Sequence, residues 1–171
     1  ALALVEAYGM TKDPTLRPYA QAAVNYIQRS QGANGSWGYT AGSNGDTSIL
    51  GWQIQALYAA KLSGLVVDDR VIKKANQFLD TTAAGSKKSM YGYTSNAGAR
   101  PGTALTGIGL LTRGSVDGWT AKTPGMVDGV AGLMKNPPVG KGPVKNLYYY
   151  YYATQVVRRY DGEEWKTWNE G

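Results

Sequence analysis

Cysteine and histidine are both missing from these 171 residues. Within this stretch their absence excludes disulfides, thiolate nucleophiles, His-based metal sites and any Ser-His-Asp arrangement. It does not point to a compartment, because a chain without cysteine suits an oxidising or a reducing one. Phenylalanine occurs once, against 13 tyrosines and 5 tryptophans. Almost every aromatic ring therefore carries a polar edge that needs a partner or water. No run of 18 apolar residues is present, so no stretch is long and apolar enough to cross a membrane as a helix.

The length fits one domain with a real core. The opening "ALALVEAYGM" is apolar from its first residue and has no initiator methionine. It reads as the tail of a helix, and the chain is expected to be a fragment of something longer. The net charge of +6 is unevenly spread. Residues 81–160 hold ten Lys or Arg against Asp117 and Asp128, a net of +8, which leaves −2 over the rest. A basic face attracts nucleic acid, acidic glycans or membrane surfaces. The cations here are scattered singles and pairs, however, which fits a solvated surface better.

Three helix starts recur at even spacing. Asp13 precedes Pro14, Asp68 precedes Asp69, and Thr123 precedes Pro124, so candidate caps stand at 13, 68 and 123. Each is followed by an amphipathic stripe, giving wet-faced helices over about 14–30, 69–80 and 124–134. The first stripe is Tyr19, Ala22, Ala23, Tyr26 and Ile27, the second Val71, Ala75, Phe78 and Leu79, and the third Met126, Val130, Leu133 and Met134. A glycine-rich loop comes next, in which Trp37-Gly38-Tyr39 answers to Tyr91-Gly92-Tyr93. The third loop, "NPPVGKGPVKN", lacks this core. A second helix then follows, apolar nearly all round and so buried on most sides, over about 47–62, 103–113 and 147–160. Alignment of these inner helices sets Gly51 over Gly107 and Ala153, small residues that let backbones approach closely. Such alternation predicts an all-α array of about three repeats of roughly 55 residues, closing into an α/α toroid or part of one, with almost no β structure.

The stretch "YIQRSQGANGSW" resembles the QW motif of squalene cyclases, through Tyr26, Ile27, Gln31, Gly35 and Trp37. "GDTSILGWQIQALYAAKLSGL" and "NLYYYYYATQVV" resemble inner helices of bacterial proteins of the prenyltransferase/squalene-oxidase repeat group. These belong to the α/α-toroid superfamily of terpenoid cyclases and protein prenyltransferases, and the resemblance spans nearly the whole chain. It implies a single toroid repeat domain over 1–171. It also implies a structural role for the QW residues, in which Gln caps a helix end and stacks with the Trp of the next repeat. A second match, after Phe78-Leu79, lacks the Gln and has Tyr in place of Trp.

The catalytic residues that the resemblance would bring are missing. No DxDD for protonating a polyene and no DDxxD for magnesium is present, and the zinc and thioester sites of related toroids need Cys or His. Asp46 lies where toroid active sites open, but it reads as the N-cap of an inner helix. The expected function is a non-catalytic squalene-cyclase-like repeat domain that binds a ligand or partner or organises a larger protein. The competing readings are a terpene-cyclase-like enzyme and a glycan-active or glycan-binding toroid, with any catalytic residues outside this stretch. No catalytic residue, metal or cofactor is expected, and the occupant is a small molecule or protein partner of unidentified chemistry.

Five consecutive tyrosines, Tyr148 to Tyr152, stand at the start of the third inner helix. Some of their rings must be core, and the rest suit the rim of a cavity. The candidate ligand-binding set is Asp46, Trp52, Gln53, Arg100, Tyr149, Tyr152 and Gln155, gathered at one mouth if the inner helices run parallel. The resemblance leans towards an exported or periplasmic location.

Overall fold

The computed structural model describes residues 1–138 and 146–170. Eight helices and one two-stranded hairpin form the regular structure among them, so the chain is all-α. It divides into two compact units, Ala1–Leu79 and Asp80–Gly171.

The first unit holds α1 (Leu2–Thr11), α2 (Arg17–Arg29), α3 (Thr47–Leu62) and most of α4 (Asp69–Thr82). Asp13 does not cap α2. Its carboxylate accepts from the backbone N–H and the hydroxyl of Thr15, at 2.8 and 2.7 Å, and holds a turn instead. The helix proper waits until Arg17 because Pro18, which has no N–H, must fall in the first turn. The buried face of α2 is Ala20, Val24 and Ile27, of which the expected stripe held only Ile27. Tyr19 and Tyr26 are exposed. The smaller apolar side chains allow closer helix contact, while the two phenols keep their hydroxyl edges in water.

Asp46 caps α3 as the sequence suggests, accepting from the N–H groups of Ser48 (2.7 Å) and Ile49 (3.2 Å). Helices α1 and α3 run parallel and end together: the Lys12 ammonium donates to the Ser63 carbonyl (3.1 Å), and Gly9 lies against the Ser63 side chain. Helix α2 crosses them antiparallel. Gln21, near its start, exchanges two hydrogen bonds with the backbone of Val66, beyond the end of α3 (2.8 and 3.0 Å). Asp68 caps α4 by accepting from the Arg70 N–H (2.8 Å), and Ala75, Phe78 and Leu79 are buried as expected.

In the second unit, β1 (Ala83–Ala84) pairs antiparallel with β2 (Met90–Tyr91), followed by α5 (Ala104–Val116), α6 (Pro124–Leu133), α7 (Leu147–Tyr160) and α8 (Gly162–Glu170). Helix α5 is buried without interruption from Thr106 to Arg113, as its all-round apolar sequence predicts. It runs parallel to α7, since Gly107 lies beside Tyr152 and Ala153 while Gly114 lies beside Arg159. A methyl on Gly107 would sit 3.2 Å from the Tyr152 Cβ, so the small residue does permit the close approach. Helix α6 lies across the pair in the opposite sense, with Gly129 on Leu110 and Gly132 on Pro101. Helix α8 has no counterpart in the sequence reading. Its Trp168 is buried, donates from Nε1 to the Thr154 hydroxyl (2.9 Å), and packs its ring 6.3 Å from that of Tyr149. Residues 139–145, which hold most of the third loop, lie outside the described residues.

One buried cation organises the hairpin end of this unit. Arg113, 3% exposed, donates to Asp80 (2.7 Å), Asp117 (2.9 Å) and the Tyr91 hydroxyl (3.2 Å), and its guanidinium lies 5.6 Å from the Trp119 ring centre. Partial burial pushes the Asp80 carboxyl up, but hydrogen bonds from Lys88 and Arg113 outweigh it and hold the group below the usual carboxylate range. Burial pushes the Tyr91 phenol up.

Two outcomes test this packing. A carboxylate whose pKa is depressed in the folded state stabilises above its unfolded value of about 3.9, and the gain is lost as pH falls through the folded value. Urea titrations should therefore show Asp80→Asn less stable than the parent at neutral pH, with the gap closing below about pH 4. Gly109 faces the Tyr91 ring so closely that an added Cβ overlaps it. Gly109→Ala should lower stability by about 1–3 kcal/mol, although alanine has the higher helix propensity.

Candidate functional site: an aromatic cleft in the first unit

The loop between α2 and α3 is fastened at three points. Trp37 is 2% exposed, and its indole N–H donates to the Ile27 carbonyl at 2.8 Å, satisfying a group near the end of α2. Gln31 donates from Nε2 to the carbonyls of Gly35 and Val71, both at 2.9 Å, so one amide ties the loop to α4. Gly35 has φ +91° and lies against the Lys74 carbonyl, a conformation and a clearance that only glycine meets. Tyr26, Ile27, Gln31, Gly35 and Trp37 thus form one structural segment, with Tyr26 on its outer side.

Two residues past the buried tryptophan the chain turns outward. The Gly38 N–H donates to the Ser43 carbonyl (3.1 Å) and the Gly42 N–H to the Ser30 carbonyl (3.0 Å), which folds residues 38–43 over the end of α2. Tyr39 emerges 95% exposed. Beside it is a cleft of about 420 Å³, lined by Ala1 and Leu2, by Tyr26 from α2 and Ser30 just past its end, by Trp37, Tyr39 and Thr40 from the loop, and by Trp52 and Gln53 from α3. Tyr26 is 61% and Trp52 40% exposed, so three rings present surface there. None of the lining residues carries a charged side chain.

The sequence-predicted residues fall in different places. Trp52 and Gln53 line this cleft together, and Asp46 is buried at the N-terminus of the same helix, occupied with capping. The other four belong to the second unit. Arg100 is exposed, with its carbonyl accepting from the Thr106 hydroxyl at 2.6 Å. Tyr149 and Tyr152 are buried, and the Tyr149 hydroxyl donates to the Leu133 carbonyl at 2.9 Å. Burial pushes the Tyr149 phenol far up. Gln155 donates from Nε2 to the Tyr151 carbonyl at 3.0 Å, back along its own helix. Within the tyrosine run Tyr148 and Tyr151 are exposed and Tyr150 is half-buried.

Sequence reasoning missed Tyr39, Ser30 and Thr40 as cleft residues. The available signal was the Trp-Gly-Tyr triplet. On an extended chain residues two apart share a face, so Trp37 buried and Tyr39 exposed means that the chain bends between them, through the turn closed by the Gly38 N–H and the Ser43 carbonyl. Chemically, the cleft offers ring faces, hydroxyls and one amide. Such groups bind and orient.

The anchor and the cleft are separable by mutation. Trp37→Ala should lower stability by about 3–5 kcal/mol in thermal or urea unfolding, since it empties a large buried volume. Tyr39→Ala, at a solvent-exposed ring, should change stability by less than about 0.5 kcal/mol.

Compared with models of known protein families, with characterised proteins and with solved structures, the chain matches none of them.

Proposed function

We propose that this chain is a non-catalytic, squalene-cyclase-like helical-repeat module of α/α-toroid type, which binds a ligand through the aromatic cleft of its first unit. The cleft carries the reading: exposed tyrosine and tryptophan faces surround a 420 Å³ space that no charged side chain enters. That volume lies within the range of about 300–1,000 Å³ found for small-molecule sites. Rings left in water at the edge of a rigidly fastened loop gain free energy when a ligand covers them.

The toroid assignment draws support from the helix directions. In each unit two helices run parallel, α1 with α3 and α5 with α7, and a third lies antiparallel across them. That is the arrangement of neighbouring inner helices covered by an outer one. Further support comes from the two loops, where Trp37 and Tyr91 are buried while Tyr39 and Tyr93 are exposed. The sequence lacks the acidic motifs, the cysteine and the histidine on which the chemistry of the superfamily depends.

Titration by intrinsic fluorescence with polyenes, oligosaccharides and peptides, together with product analysis, tests the reading. Saturable binding by one class is expected, weakened about tenfold in Trp52→Ala and without turnover. A cyclised or cleaved product, or no binding from any class, would overturn it.

A further inference from the structure

From the composition of this cleft we infer that its ligand is a neutral saccharide, a reading that rests on the proposed binding function and narrows it. A sugar ring has one face of C–H groups and a rim of hydroxyls. The C–H face stacks on aromatic rings, whose electron-rich faces attract its weakly positive hydrogens. Tyr26, Tyr39 and Trp52 offer three such faces with substantial exposure. The rim needs neutral donors and acceptors. Gln53 supplies both from one amide, and the hydroxyls of Ser30 and Thr40 rotate to serve as either.

Other occupants fit less well. A nucleic acid or an acidic glycan draws much of its affinity from cations beside its charges, and this lining has no Lys or Arg. An isoprenoid chain would stack on the rings but strip water from the amide and hydroxyls without replacing their hydrogen bonds, at a cost. Tyr39 stands almost free in solvent, so an apolar chain stacked on it would stay largely wet. A hydroxylated ligand tolerates that exposure.

The test titrates the whole chain with neutral hexasaccharides of glucose, mannose and xylose, and with polygalacturonate, farnesol and a mixed peptide pool as contrasting probes. At least one neutral hexasaccharide should bind saturably. Its affinity should stay within about twofold between low and high salt, because no ion pair forms. Tyr39→Ala and Trp52→Ala should each weaken it about tenfold, the loss of one stacked ring. Tyr93→Ala, in the second unit, should leave it unchanged, and circular dichroism should show all three variants folded. Saccharide binding that survives both cleft substitutions would overturn the inference. So would binding of farnesol, peptide or polygalacturonate alone, in which case the cleft remains a binding site for another class. Silence from every probe would reject the inference and the binding function together.

Discussion

The position of a single indole decides much of the first unit. Trp37 is buried beneath its own loop and donates its one N–H to the Ile27 carbonyl. It therefore closes the end of α2, fills core volume and fixes the height at which the loop leaves the surface. Tyr39, beyond the bend that follows, stands in solvent. The second unit solves the same problem with a smaller ring. Tyr91 is fully buried against Gly109, its hydroxyl accepts from Arg113, and Tyr93 two residues later is half exposed.

Replacing tryptophan by tyrosine at that point has a cost that the surroundings reveal. The phenol is shorter and brings an oxygen into the interior, where an unpaired polar group is expensive. Arg113 answers it, but a buried guanidinium must itself be neutralised. Asp80 and Asp117 do so from opposite sides in sequence, one at the end of α4 and one just past α5. The conspicuous charge cluster of this unit is thus explained by packing, and the cleft of the first unit, whose lining has no charged side chain, is where the proposed ligand would sit.

Close helix contact depends on glycine in a similar way. Gly107 and Gly114 bring α5 against α7, and Gly129 and Gly132 let α6 settle on α5 and on the turn before it. Few large aliphatic side chains are needed when backbones lie this near. That explains how a chain so rich in tyrosine and glycine still buries an eight-residue stretch of α5.

The sequence by itself determined the helices. Six of them were legible from the apolar pattern. The caps Asp46 and Asp68 were legible too, because a cap acts on N–H groups two or three residues away and needs nothing distant. Asp13, by contrast, turns to Thr15, and Thr123 makes no side-chain cap bond. The sequence also determined which side-chain chemistries these 171 residues cannot supply themselves, since no fold creates a missing cysteine or histidine. Tertiary structure alone decided which face of each helix is buried. Tyr26 has the right period for the core, yet Ala20, Val24 and Ile27 occupy it, because the distance between α2 and its neighbours selects side-chain size. Helix α8 is held by Trp168 reaching Thr154 and Tyr149, contacts that no local pattern announces. The tyrosine run shows both limits. Its residue types were legible, but burial of Tyr149 and Tyr152, with Tyr148 and Tyr151 left outside, depends on where α6, α5 and α8 stand around α7. The cleft at Trp52 and Gln53 likewise exists only because a distant loop is pinned by Trp37, and a sequence read residue by residue has no term for that distance.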